Sequence, residues 1–158
     1  MGDKIFLVIA TVLVGAFAIG ASKAGANEHS GNWTLNVAKS KRGAGAGPQD
    51  LHETIELDEH HYKVEANGRA PDGQPVHFEF NAKFDEKEYP MIGAPWADTV
   101  SVRWTDDHAP QMIQRKRGEV TMTITCKVSA DGKTRTCTLQ GRDAEGRNVN
   151  EIAVFDRR

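Results

Sequence analysis

Few residues of this 158-residue chain stand in patterns that do chemistry. Six histidines raise the question of a metal. His60 and His61 are adjacent, so in a strand they point to opposite faces and cannot share an ion. His52, His61 and His77 fall on polar phases of neighbouring strands, and no H-x-H, H-x-x-x-H or Cys/His spacing of a zinc site occurs. Solvated surface histidines are the expectation, with no metal and no cofactor. Asp106-Asp107-His108 has the composition of an acid/base cluster, but it stands just before Ala109-Pro110 and reads as a polar turn. There is no G-x-S-x-G elbow, H-E-x-x-H helix, phosphate loop or dinucleotide fingerprint, so no enzyme is expected. Arg115-Lys116-Arg117 is the one concentrated basic run and is expected to solvate an edge or loop. With 20 Lys and Arg against 22 Asp and Glu, the net charge of -2 lacks the surplus that neutralises phosphates, which argues against nucleic acid.

Cys126 and Cys137 are equally far from Asp131-Gly132, a hairpin signal. A hairpin centred there places them opposite each other on one side of a sheet. Counted outward from a two-residue loop they form a hydrogen-bonded pair, with Cα atoms about 5.5 Å apart, within disulfide range. An oxidising compartment would let them bond; two buried thiols are the alternative.

The elements that must position these residues are strands. Residues 1 to 26 read as an address instead: Ile5 to Gly20 is apolar or small, and Ala24-Gly25-Ala26 supplies a small-x-small cleavage pattern. Cleavage after Ala26 would leave residues 27–158 as one domain, with 18 basic and 21 acidic residues and a net charge of -3 once Asp3, Lys4 and Lys23 are gone. Asp3 weakens the usual positive start, and a retained anchor is the alternative. A periplasmic or secreted protein is expected, with no stable membrane insertion after cleavage.

Beyond residue 30 apolar residues recur at every second position, the period of a half-buried strand. Trp33, Leu35 and Val37 share a phase, as do Leu51, Ile55 and Leu57, and Tyr62, Val64 and Ala66. The pattern continues through Val76, Phe78, Phe80, Ala82 and Phe84, then Val100, Val102 and Trp104. Val120, Met122, Ile124, Cys126 and Val128 follow, then Cys137 with Leu139 and Ile152 with Val154. The phase around Met112-Ile113 is ambiguous. Asp72-Gly73, Asp131-Gly132 and Ala144-Glu145-Gly146 mark hairpins, while residues 41 to 49 and the Pro90–Pro95 stretch read as irregular. About nine short strands with one apolar face each predict an all-β fold, an antiparallel up-and-down barrel of about 8–10 strands.

Closing such a sheet either leaves a small cavity or fills the interior with the chain's own side chains. Phe78, Phe80, Phe84, Trp104, Met122 and Tyr62 are bulky enough to fill it. If a cavity exists, its wall is expected from Phe78, Phe80, Val100, Val102, Trp104, Met122 and Ile124. Arg135 shares the phase of Cys137 and Leu139. It is expected near the mouth, either pairing with the carboxylate of an amphiphile or solvated on the rim.

Gly31-Asn32-Trp33 resembles the Gly-x-Trp signature of the calycins, the lipocalin and fatty-acid-binding-protein group. From Trp33-Thr34-Leu35-Asn36 to Lys39-Ser40, and again at Pro75-Val76-His77-Phe78 and Val154-Phe155-Asp156-Arg157, the chain is similar to a family of small exported bacterial lipocalin-like proteins. The resemblance implies that Trp33 closes one barrel end beneath a basic residue of the last strand, Arg157 or, failing that, Arg158. It implies a barrel that binds a small hydrophobic molecule. The chain lacks the helical pair and the long C-terminal helix of the better-known families, so a ligand class does not carry over. A barrel that binds a protein partner through its rim or outer face, with a filled core and an exposed Met91–Trp96 loop, is the second expectation.

Overall fold

The computed structural model describes residues 26–43, 47–105, 109–142 and 146–158. Nearly all of the expected export segment, the Asp106-Asp107-His108 cluster and most of the Ala144-Glu145-Gly146 turn lie outside these residues. A single helical turn, α1 (Ala26–His29), leads into ten strands. These are β1 (Gly31–Leu35), β2 (Asp50–Leu57), β3 (His61–Arg69), β4 (Pro75–Lys83) and β5 (Tyr89–Ile92), followed by β6 (Thr99–Trp104), β7 (Pro110–Lys116), β8 (Glu119–Val128), β9 (Thr134–Arg142) and β10 (Asn148–Arg157). Each strand pairs antiparallel with its chain neighbour, and β10 returns to β1 to close an up-and-down barrel. Among the described residues no helix is long and apolar enough to cross a membrane.

The expected fold class holds, with one strand more than the alternation suggested. The extra strand is β5, in the stretch that two prolines marked as irregular. Pro90 is accommodated because β5 is only four residues long and is exposed at that position, with two residue pairs to each neighbour. The missing N–H therefore interrupts little of the ladder.

Three local readings of phase are corrected. Val37 does not continue the inward face of Trp33 and Leu35, because β1 ends at Leu35 and the chain turns. Val120 is 56% exposed. A register shift between Gln114 and Arg115 places it opposite Arg115, whereas Met122 faces buried Gln114. In β10 the inward residues are Ala153 and Phe155, which face Cys137 and Arg135 across the ladder. Ile152 also borders the cavity and pairs with Lys41 of the β1–β2 connection, while Val154 is buried and its N–H donates to Ser40 Oγ. The ambiguous strand resolves too: Pro110, Met112 and Gln114 of β7 are buried, and Gln111, Ile113 and Arg115 face out.

Cys126 and Cys137 are bonded and directly opposed. Their Cα atoms lie 4.1 Å apart, the narrow spacing of a non-hydrogen-bonded pair. The wider expectation assumed a two-residue loop. In the structure Ser129 N donates to Thr134 O and Gly132 N to Ser129 O, so the loop holds four residues and the alternation of pair types shifts by one.

Because connections alternate between barrel ends, α1, the β2–β3, β4–β5, β6–β7 and β8–β9 loops and the C-terminus share one end. The β1–β2, β3–β4, β5–β6, β7–β8 and β9–β10 loops share the other. The first end is closed. Trp33 is fully buried there, its Nε1 donating to His29 O at 2.8 Å. The Arg157 guanidinium lies 4.2 Å from its ring centroid and donates to the carbonyls of Glu28, Ser30 and Gly132. Gly31 permits this cover. It sits at φ 127°, and a Cβ there would meet Arg157 Nη1 at 2.7 Å. Beside the plug, Phe84 stacks between Tyr62 and Trp104, with centroid distances of 6.2 and 4.3 Å.

His29 corrects the expectation of solvated histidines, being only 4% exposed. Burial first, then the charges of Arg135 and Arg157, lower its pKa from 6.5 to about 4. The unfolded chain therefore takes up a proton between these values that the folded chain does not, so stability falls as pH drops through that window. The loss is about 3 kcal/mol at most by pH 4. Urea melts of the wild type and His29→Gln at pH 7.5 and 4.5 should show a smaller loss in the variant; equal losses would place the pH sensitivity elsewhere.

Candidate functional site

A cavity of about 510 Å³ runs inside the barrel from the loops of the open end toward the plug. Size and lining are those of a small-molecule site, mostly apolar with a few polar groups. The wall comes from inward positions of β2, β3, β4, β7, β8, β9 and β10, whose period-two alternation delivers every second side chain to the interior.

Of the residues expected on the wall, Phe78, Phe80, Met122, Ile124 and Arg135 border the cavity. Val100, Val102 and Trp104 do not. Val100 and Val102 are buried in the core cluster that also holds Met91, Ala94 and Ala97, and Trp104 belongs to the aromatic stack of the closed end. The inward phase of β6 was legible, but alternation says which face a residue takes and not how deep in the barrel it lies.

Arg135 is the largest correction. It is neither at the mouth nor solvated, because the Asp131-Gly132 turn belongs to the closed end; Arg135 lies at the cavity floor, 2% exposed. Its Nη1 donates to Glu53 Oε2 at 2.5 Å. Its Nη2 donates to Tyr62 Oη at 2.7 Å and approaches Cys126 Sγ at 3.1 Å. The guanidinium carbon lies 5.6 Å from the centroid of the Phe155 ring. Arg135 Nε has no protein partner. Burial opposes its charge, but Tyr62 and Glu53 outweigh that and raise its pKa. Burial likewise raises the pKa of Tyr62, so the phenol stays protonated.

Glu53 and Gln114 are cavity-lining polar residues that the sequence reading did not single out, and Tyr62, expected only as an interior filler, lines the cavity with its hydroxyl bonded to Arg135. Tyr62 already counted among apolar inward positions. Glu53 was legible in principle, since it sits between Leu51 and Ile55 on their phase and so places a carboxylate among buried residues. Gln114 accepts from Trp96 Nε1 at 2.9 Å, tying the β5–β6 loop to β7. The basic run 115–117 is tied down as well. Lys116 meets Asp98 Oδ1 at 2.6 Å, Arg115 Nη1 donates to Ser101 Oγ at 2.9 Å, and Arg117 N donates to Asp98.

The other described histidines are scattered. His52 Nδ1 meets Thr34 Oγ1, His77 Nδ1 meets Asn67 Oδ1, and His61 pairs with Asp58. Among the described residues no group of three His, Cys, Asp or Glu could hold a metal ion.

The cavity and its floor define a barrel with room inside. Among the solved structures similar to it are two barrels. One is the siderocalin Ex-FABP, described as functioning through dual ligand specificities, with 11% identity and a TM-score of 0.43 over 83% of this chain and 71% of that one. The other is a fluorescence-activating β-barrel designed de novo, with 14% identity and a TM-score of 0.41 over 84% of this chain and 96% of that one. No protein-family model matches the chain, and no curated protein does. At such low likeness the strand order and the interior of this chain must carry the functional argument.

Proposed function

We propose that the protein is an exported, periplasmic or secreted barrel that binds a small hydrophobic or amphipathic molecule in its interior and does no chemistry on it. The observation that carries this reading is the cavity of about 510 Å³, walled by aromatic and aliphatic side chains and bounded at its floor by the Glu53–Arg135–Tyr62 cluster. Export is supported by the apolar run and small-x-small pattern of residues 1 to 26, and the Cys126–Cys137 disulfide suits an oxidising compartment. The protein-binding alternative has less behind it. It called for a filled interior and an exposed Met91–Trp96 loop, whereas the interior holds a cavity and the loop is exposed only in part, at Ile92, Gly93 and Pro95, with Met91 and Ala94 buried.

The test is a fluorescence titration of the chain with N-phenyl-1-naphthylamine, a small uncharged apolar probe. Saturable binding is expected in the wild type. Phe80→Trp enlarges a wall side chain and should weaken the probe about tenfold, the cost of overpacking a fitted site. Absence of saturable enhancement would remove the binding reading.

A further inference from the structure

The polar groups at the cavity floor bear on the head group of the ligand, an inference that rests on the binding reading above. Arg135 is the cation at this floor, and its charge is already answered by Glu53, with Tyr62 and the Phe155 ring completing its surroundings. Glu53 is in a different position. Its Oε2 takes Arg135, and no donor among the described residues reaches Oε1. The floor therefore offers a free acceptor on Glu53, and beside it Arg135 Nε is buried without a partner.

We propose that the interior selects an amphiphile whose buried head is uncharged and donates a hydrogen bond, such as a long-chain alcohol, over the carboxylate of the same chain length. A second carboxylate would sit beside Glu53 in a site screened from water, where like charges disfavour each other. Displacing Glu53 from Arg135 instead would strand a buried carboxylate without its partner. An ammonium head meets the mirror problem, because Arg135 stands beside the same oxygens. A hydroxyl meets neither: its proton goes to Glu53, and its oxygen can accept from a guanidinium N–H.

The experiment is displacement of N-phenyl-1-naphthylamine from the wild type at pH 7.5 by 1-decanol, decyl methyl ether and decanoate. Decanol should bind about tenfold tighter than the ether, the value of one hydrogen bond donated to a charged acceptor. Partition into an apolar site alone gives the opposite order, because the ether is the more hydrophobic of the two. In Glu53→Gln, Arg135 loses its counter-charge, and the affinity of decanoate relative to decanol should rise at least tenfold. Ether binding as tightly as alcohol in the wild type would overturn the proposal. So would a decanoate-to-decanol ratio that Glu53→Gln leaves unchanged, the result expected if the head lies at the mouth, where Arg42 of the β1–β2 connection lines the cavity. If Glu53→Gln does not fold, the wild-type comparison of alcohol with ether decides alone. A wild type with no saturable probe binding fails at the earlier step, and that result sinks the binding reading rather than the head-group selection.

Discussion

Arg135→Met is expected to lower the stability of the barrel by roughly 3–5 kcal/mol, the cost of removing one partner from a buried ion pair. The side chains of Arg135 and Glu53 are 2% and 10% exposed, so neither charge has water to fall back on. Truncating the arginine leaves the Glu53 carboxylate unpaired among Leu51, Ile55 and the cavity wall, and it takes from Tyr62 the cation its phenol oxygen accepts from. The double variant Glu53→Leu/Arg135→Met removes both charges and should recover most of the loss, because apolar replacement of a whole buried pair is often neutral or better. Urea denaturation of the two single variants and the double gives the coupling directly. Additive losses would mean that the pair does not act as a unit, and that each charge finds other compensation.

The second large effect belongs to the plug. Trp33→Ala should cost about 3–5 kcal/mol, the range for truncating a large aromatic side chain in a core. The indole is fully buried at the closed end, and its N–H holds the His29 carbonyl that ends α1. Its loss opens the floor beneath the Arg135 cluster as well as removing apolar contact. Arg157→Ala should cost less, since a cation over a ring contributes about 0.5–1 kcal/mol at exposed sites and Arg157 is itself exposed. Thermal melts of both variants test the order. A Trp33→Ala protein that melts with the parent would show that α1 and the strand ends close the barrel without the indole.

Much of the barrel could be read before any coordinates, because period two is a local property. Val76 to Phe84 alternate with His77 to Lys83 whatever the rest of the chain does, and the same holds for β2, β3 and β6. The Trp33 plug and its basic cover were legible only through the resemblance of Gly31-Asn32-Trp33 to the calycin signature; the space that Gly31 leaves for Arg157 is visible in the structure alone. The cysteine pairing followed from counting about one turn, although the loop length assigned to that turn was too short by two residues. β5 was missed because four residues are too few to show a period, and its proline argued against it. Val120 was misassigned because a register shift reverses the phase of a strand and leaves no mark in the alternation.

The amino-acid order alone determined that the chain is all-β, that one face of each strand is apolar, and that Cys126 meets Cys137. Each of these depends on neighbours in sequence or on one hairpin. Depth along the barrel axis was decided only by the tertiary structure. Phe80 and Val100 share an inward phase, yet one borders the cavity and the other is packed into the core. Arg135 and Glu53 are separated by 82 residues and meet only because β2 and β9 curve toward each other across the interior. No local pattern encodes that meeting: a lone inward arginine is costly to bury, and only closure of the sheet supplies the carboxylate that makes its burial tolerable.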